Sequence, residues 1–220
     1  MGALTDIDTQ LQEISLAPGP WRLPKGGSDG LGYLVVSGTL LRRLTLDGGR
    51  SVELLGPGDL LLPWHEEPAS FSCSEWRVVD RARLAVLDLR SGSPFAHSPL
   101  AATIAGRAID RARTLALQSA IMSIVGIDER LWALLWALAE RWGTVVPDGA
   151  EVEINVPQSV LAEMVGARRP TVSLALSSLC DHGRLIAVES GRWVLRGEPP
   201  AAIRPAADEP PLAKDPYRQG

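Results

Sequence analysis

The chain has 220 residues, 45% hydrophobic and 22% charged, which suits one large or two small globular domains with a buried core. That composition excludes a wholly disordered chain, a collagen and a disulfide scaffold. A formal net charge of −4 argues against non-specific nucleic-acid binding by the chain as a whole.

The opening segment, MGALTDIDTQLQEIS, carries acids and has no basic stretch ahead of an apolar core, so no signal peptide is expected. The strongest apolar run, Leu131 to Ala139, is far shorter than the roughly 20 residues of a spanning helix. The expectation is a cytoplasmic protein with no membrane contact. Cys73 and Cys180 lie far apart and read as small core residues, with nothing requiring a disulfide.

From Leu31 to Leu89, short apolar runs are broken by glycine and proline. Tyr33–Val36 and Thr39–Leu44 read as strands joined by Ser37-Gly38. Asp47-Gly48-Gly49 supplies the positive φ of a hairpin turn, and Val52–Leu55 pairs back. Gly56-Pro57-Gly58-Asp59 is a further turn, followed by strands at Leu60–Leu62, Phe71–Cys73, Arg77–Val79 and Leu84–Leu89. Many short strands at even spacing predict a β sandwich or barrel.

From Ser98 to Val125 the chain is rich in alanine and leucine, and a long helix is predicted. Ala101, Ala105, Ala108, Ala112, Leu115, Ser119 and Met122 recur in steps of four and three. Such a seam fits a helix pairing with another helix, or one lying on its own domain's core. A second helix, Asp128 to Trp142, takes Asp128 as N-cap and Gly143 as stop, with its tryptophans in the core.

Glu151–Asn155 alternates as a strand, and Pro157 opens a helix that ends before Gly166. Another helix runs from Arg169 to His182, and Leu185–Val188 with Trp193–Leu195 forms a β hairpin. Six prolines after Gly197, with few large apolar groups, predict a disordered tail.

Helix, glycine turn, helix and two-stranded wing is the winged helix-turn-helix arrangement, whose second helix enters the DNA major groove. Leu161, Ala162, Val165, Val172, Leu176 and Leu179 form its expected core. Arg168, Arg169, Thr171 and Ser173 stand near the second helix's start, where base edges are read; arginine can hold guanine O6 and N7 together. Residues 168–197 gather five arginines, Arg192 of the wing among them, against Asp181 and Glu189. An acidic chain has concentrated positive charge at this end. The competing reading of these arginines is a solvated helical face.

The run from Pro157 through Gly166, Arg169, Thr171, Val172 and Ser173 to Leu176 closely resembles the helix-turn-helix of the Crp/Fnr family of bacterial transcription regulators. Gly32–Gly38 and Leu55–Asp59 resemble that family's β-roll signatures, and the long helix resembles its dimerisation helix. The resemblance implies an α+β fold: an antiparallel β-roll of jelly-roll type at 1–94, a dimerisation helix at 95–126, a winged helix-turn-helix at 127–197 and a tail at 198–220. It implies a homodimer on a near-palindromic site in double-stranded DNA, with RNA polymerase as a further partner. Arg169 matches the family's base-reading arginine, and Gln158 and Ser159 match phosphate-contacting positions. Pro170 stands where many members have glutamate, and Leu174 where many have a second arginine, so the target sequence should differ. These departures also leave open an interaction module that no longer binds DNA.

Cyclic-nucleotide binders of the family use a glutamate and, about ten residues on, an arginine that meets the buried phosphate. Here Pro63-Trp64 takes the first place, and no arginine lies between Arg50 and Arg77, so a cyclic nucleotide is not expected. Two cysteines are too few for an iron–sulfur cluster. His65, His97 and Cys73 offer only isolated haem ligands, and the three histidines lie in different regions, unlike a metal-dependent barrel enzyme. No cofactor, no metal and no enzymatic activity are therefore expected. If a small effector exists, an apolar one lined by Leu60, Leu62, Trp64, Phe71 and Cys73 fits the composition best.

Overall fold

A computed structural model describes residues 12–22, 30–46, 49–61, 72–88, 99–189, 191–200 and 203. The predicted disordered tail lies almost wholly outside the described residues. The fold is α+β, as expected.

Among the described residues, eight strands build the N-terminal unit: β1 (Glu13–Leu16), β2 (Gly19–Trp21), β3 (Gly30–Ser37), β4 (Leu40–Leu46), β5 (Gly49–Leu55), β6 (Leu60–Leu61), β7 (Ser72–Val78) and β8 (Ala82–Asp88). They form two antiparallel four-stranded sheets, ordered β1-β8-β3-β6 and β2-β7-β4-β5. The facing sides bury Tyr33, Val35, Leu40, Leu55, Leu61, Trp76, Val78 and Leu84. Trp21 meets Tyr33 and Trp76 edge to face, with ring centroids 5.9 and 6.2 Å away.

Two strand expectations change. β1 and β2 were missed, and the strands foreseen at 71–73 and 77–79 are one strand, β7. Its middle looks polar because Cys73 and Glu75 point outward while Trp76 and Val78 point in. Both cysteines are exposed, not core: Cys73 lies on that outward face and Cys180 on the solvent side of a helix.

Helix α1 (Pro99–Met122) leaves the roll and α2 (Ile127–Trp142) returns. Gly126, with φ 90°, occupies the cap of α2, so Asp128 sits inside its first turn with Glu129, where carboxylates favour the helix dipole. A β-hairpin, β9 (Thr144–Val146) with β10 (Gly149–Glu153), precedes α3 (Gln158–Met164), α4 (Arg169–Asp181), β11 (Leu185–Glu189) and β12 (Arg192–Arg196). Strands β11-β12-β10-β9 form the third antiparallel sheet. No helix among the described residues is long and apolar enough to cross a membrane.

The C-terminal core is continuous with the outer face of the roll. Leu41, Val52 and Leu54 join Trp132, Leu135 and Leu138 of α2, Leu161 of α3, and Val172 and Leu176 of α4 in one buried cluster. Polar ties reinforce the junction. Glu53, 7% exposed, accepts from Arg111 of α1 at 2.8 and 3.0 Å and from Arg42 at 3.4 Å. Gln118 of α1 donates to the Val52 carbonyl at 2.6 Å. Asp59 accepts from the Gly56 amide at 2.7 Å and pairs with Arg141 of α2. Burial pushes its carboxyl above the ordinary value against the pull of both partners.

Arg130 of α2 joins two turns. It donates to the Ile124 carbonyl at 3.2 and 3.0 Å, in the α1–α2 turn, and to the Val165 carbonyl at 2.7 Å, in the α3–α4 turn. Each charge-assisted bond of this kind contributes more than a neutral one. Arg130→Ala is expected to lower stability by about 2–3 kcal/mol in urea unfolding followed by tryptophan fluorescence. Arg130→Lys should recover only part of that, since one ammonium lacks the guanidinium's fork. An unchanged midpoint in the alanine variant would contradict the assignment.

Candidate nucleic-acid interface

The candidate reading surface is built by α3, the turn after it and α4. Ala162 is 3% exposed, and its small side chain sits where the two helices meet. Its carbonyl accepts from the Ala167 amide at 2.8 Å, closing the turn. Gly166 takes φ 64°, and a Cβ there would lie 2.6 Å from Met122 Cε at the end of α1. The left-handed backbone favours glycine here, while the tip of Met122, an exposed and flexible side chain, could move aside.

α4 buries Val172, Ala175, Leu176 and Leu179, the apolar stripe foreseen in the sequence. Arg168 precedes the helix in an extended conformation, and Pro170 falls in its first turn, where no backbone donor is needed. Arg168, Arg169, Thr171 and Ser173 are all exposed at this end. Among the described residues no carboxylate pairs with Arg168 or Arg169, and the first turn of α4 holds no acid. The helix's own positive end therefore adds to the two guanidiniums.

The remaining expected residues divide. Ser159 is exposed and Gln158 half-buried at the start of α3. Arg192 sits on the wing with its guanidinium 3.6 Å from Glu151. Arg184, counted in the basic window, turns away from the reading side. It pairs with Glu129 at 3.0 Å and lies over the Trp132 ring at 4.6 Å. Desolvation and the adjacent Asp181 push the Cys180 thiol above its ordinary value.

Of the expected effector residues, Leu60 is fully buried and Cys73 is exposed, so these two do not share one chamber. Leu62, Trp64 and Phe71 lie outside the described residues. A cleft of about 400 Å³ opens instead where β5 meets α1 and α2, lined by Asp59, Arg107, Thr114, Gln118 and Trp142; neither Leu60 nor Cys73 lines it.

Residues 129–197 match the Crp-like helix-turn-helix domain. The chain is 24% identical over 189 residues to the CRP-like cAMP-activated global transcriptional regulator of Mycobacterium tuberculosis, covering 82% of this chain and 83% of that protein. The Crp/Fnr resemblance of the sequence thus holds across both units. Residues 129–197 are a Crp-like helix-turn-helix domain, and the chain as a whole is similar to a CRP-like regulator.

Two solved structures share the fold of this chain. A CooA mutant from Carboxydothermus hydrogenoformans superposes with a TM-score of 0.64 at 19% identity, covering 90% of this chain and 87% of that one. A cyclic nucleotide-binding domain containing protein from Listeria monocytogenes gives 0.68 at 16% identity, covering 86% and 91%. These likenesses show the fold, and the family match adds a helix-turn-helix domain at residues 129–197.

The two classes of arginine should separate experimentally. Arg184→Ala is expected to lower stability by about 1 kcal/mol through the lost ring contact and ion pair, with the salt dependence of DNA binding unchanged. Arg168→Ala should leave the unfolding midpoint in place and reduce the slope of log K against log salt by about one. A changed slope in the Arg184 variant would contradict this division.

Proposed function

We propose that the chain works as a homodimer that reads a near-palindromic DNA site through two copies of α4. The observation that carries this reading is the uncovered face of α1. Ala105, Ile109, Ala112, Leu115, Ala116, Ser119 and Met122 all face solvent, with Ile109 53% and Leu115 41% exposed. The opposite face of α1 carries Arg111, Gln118 and Ile121 onto the roll and α2. A helix with one face used internally and a small-residue apolar face open fits a second copy of itself. The seam is turned slightly from the sequence expectation: Ala108 is half-buried, and Ile109 and Ala116 take the outer positions.

In this reading residues 1–94 form the sensor, 95–126 the dimerisation helix and 127–197 the DNA-binding unit. Arg169 reads a base edge, and Arg168, Thr171, Ser173, Ser159, Gln158 and Arg192 support it from phosphate or base. RNA polymerase is the further partner that the resemblance to the Crp/Fnr family implies. If the roll takes a signal, it is something other than a cyclic nucleotide, because no arginine between Arg50 and Arg77 is present to meet a buried phosphate.

Replacing both Ile109 and Leu115 with glutamate is expected to convert the dimer to a folded monomer in light scattering. The same variant should lose about 100-fold in affinity for a two-half-site duplex, since two linked contacts become one. Arg169→Ala should weaken specific binding by about 1–3 kcal/mol and relax selection at one base pair per half-site. A wild-type monomer, or an unchanged oligomeric state in the double variant, would overturn the dimer.

A further inference from the structure

The outward stripe of α4 differs in chemistry from its start. At 100° per residue, Pro170, Leu174, Ser177 and Asp181 stand opposite the buried Val172, Ala175, Leu176 and Leu179. All four outward residues are exposed, and Leu174 is 72% exposed. A single exposed leucine is ordinary on a protein surface. This one occupies the middle of the helix face that the site geometry presents outward. It adjoins Pro170 one turn earlier, and the two make an apolar patch. Neither side chain can donate or accept a hydrogen bond, so the centre of the reading face carries no polar code. The hydrogen-bonding groups stand around it: Arg168 and Arg169 before, Ser173 and Ser177 beside.

The charges fix the class of partner. Two arginines without a carboxylate partner among the described residues, together with a helix start lacking acids, favour a polyanion on this surface over an apolar protein groove. In the major groove of duplex DNA, the apolar feature a base pair offers is the thymine methyl group. We propose that Leu174, supported by Pro170, is a specificity-determining residue that packs on a thymine methyl. This inference rests on the reading of α4 as the DNA-recognition helix. Leu174 lies five residues beyond Arg169, about 7.5 Å of helix rise, which places the thymine about two base pairs from the guanine that Arg169 holds.

The test uses a binding site enriched by the full chain from random duplexes. Each thymine of that site is replaced in turn by deoxyuracil, which removes only the methyl group. At one position per half-site the replacement should weaken binding about fourfold, the effect of uncovering one methyl. Leu174→Ala should bind thymine and deoxyuracil at that position equally well, and Leu174→Arg should shift the preference there toward guanine. Circular dichroism confirms that these variants at an exposed position remain folded. Equal affinity for thymine and deoxyuracil at every position, with sequence-specific binding intact, would overturn this inference alone. Persistent deoxyuracil sensitivity in Leu174→Ala would also overturn it. Failure to enrich any site would overturn the DNA-reading assignment of α4 and this inference with it.

Discussion

One guanidinium, that of Arg130, holds the end of the long helix and the helix-turn-helix in a fixed relation. It reaches the carbonyl of Ile124 on one side and that of Val165 on the other. Backbone carbonyls in turns lack the partners that a helix interior provides, so a cation between them satisfies both at once. Gly166 lies beside the same contact, at φ 64°, a left-handed backbone that favours glycine. The position of α4 therefore follows from where α1 ends, through a few atoms with little freedom to shift.

The other end of that chain of contacts is the roll. Glu53 is a buried carboxylate flanked by Arg42 of its own sheet and Arg111 of α1. Such an ion cluster contributes modest net stability, because desolvation offsets much of the attraction, but breaking it leaves an uncompensated buried charge. Its consequence here is register: α1 cannot slide along β5 without separating Arg111 from Glu53 and Gln118 from the Val52 carbonyl. Arg43 of β4 reaches across to Glu163 of α3 at 2.7 Å, a second tie between roll and reading unit. Tight packing adds to these ties, since a Cβ at Gly56 would fall 2.6 Å from the Trp142 ring. The roll and the helix-turn-helix unit are thus joined both through α1 and directly.

Much of this was legible in the sequence because the signals were periodic. The stripe Val172, Leu176, Leu179 and the glycine at 166 gave the helix-turn-helix, and Leu131 to Leu138 gave α2. What escaped was short or long-range. β1 pairs Ile14 with Leu84, far along the chain, and its four residues show little periodicity. Arg184 looked like part of a basic patch because sequence proximity counts charge without direction; in space it belongs to Trp132 and Glu129. The cysteines looked apolar by residue type, yet strand alternation turns Cys73 outward. The bond from Arg130 to Val165, thirty-five residues apart, had no sequence signal at all.

The central claim is that two copies of this chain present α4 to two related half-sites. Selection from a random duplex library with the purified full chain, followed by the mass of the complex it forms, tests this most directly. The account predicts an enriched inverted repeat with half-site centres about one helical turn apart and two chains on each duplex. A single unrepeated site held by one chain, or salt-sensitive retention blind to sequence, would contradict it.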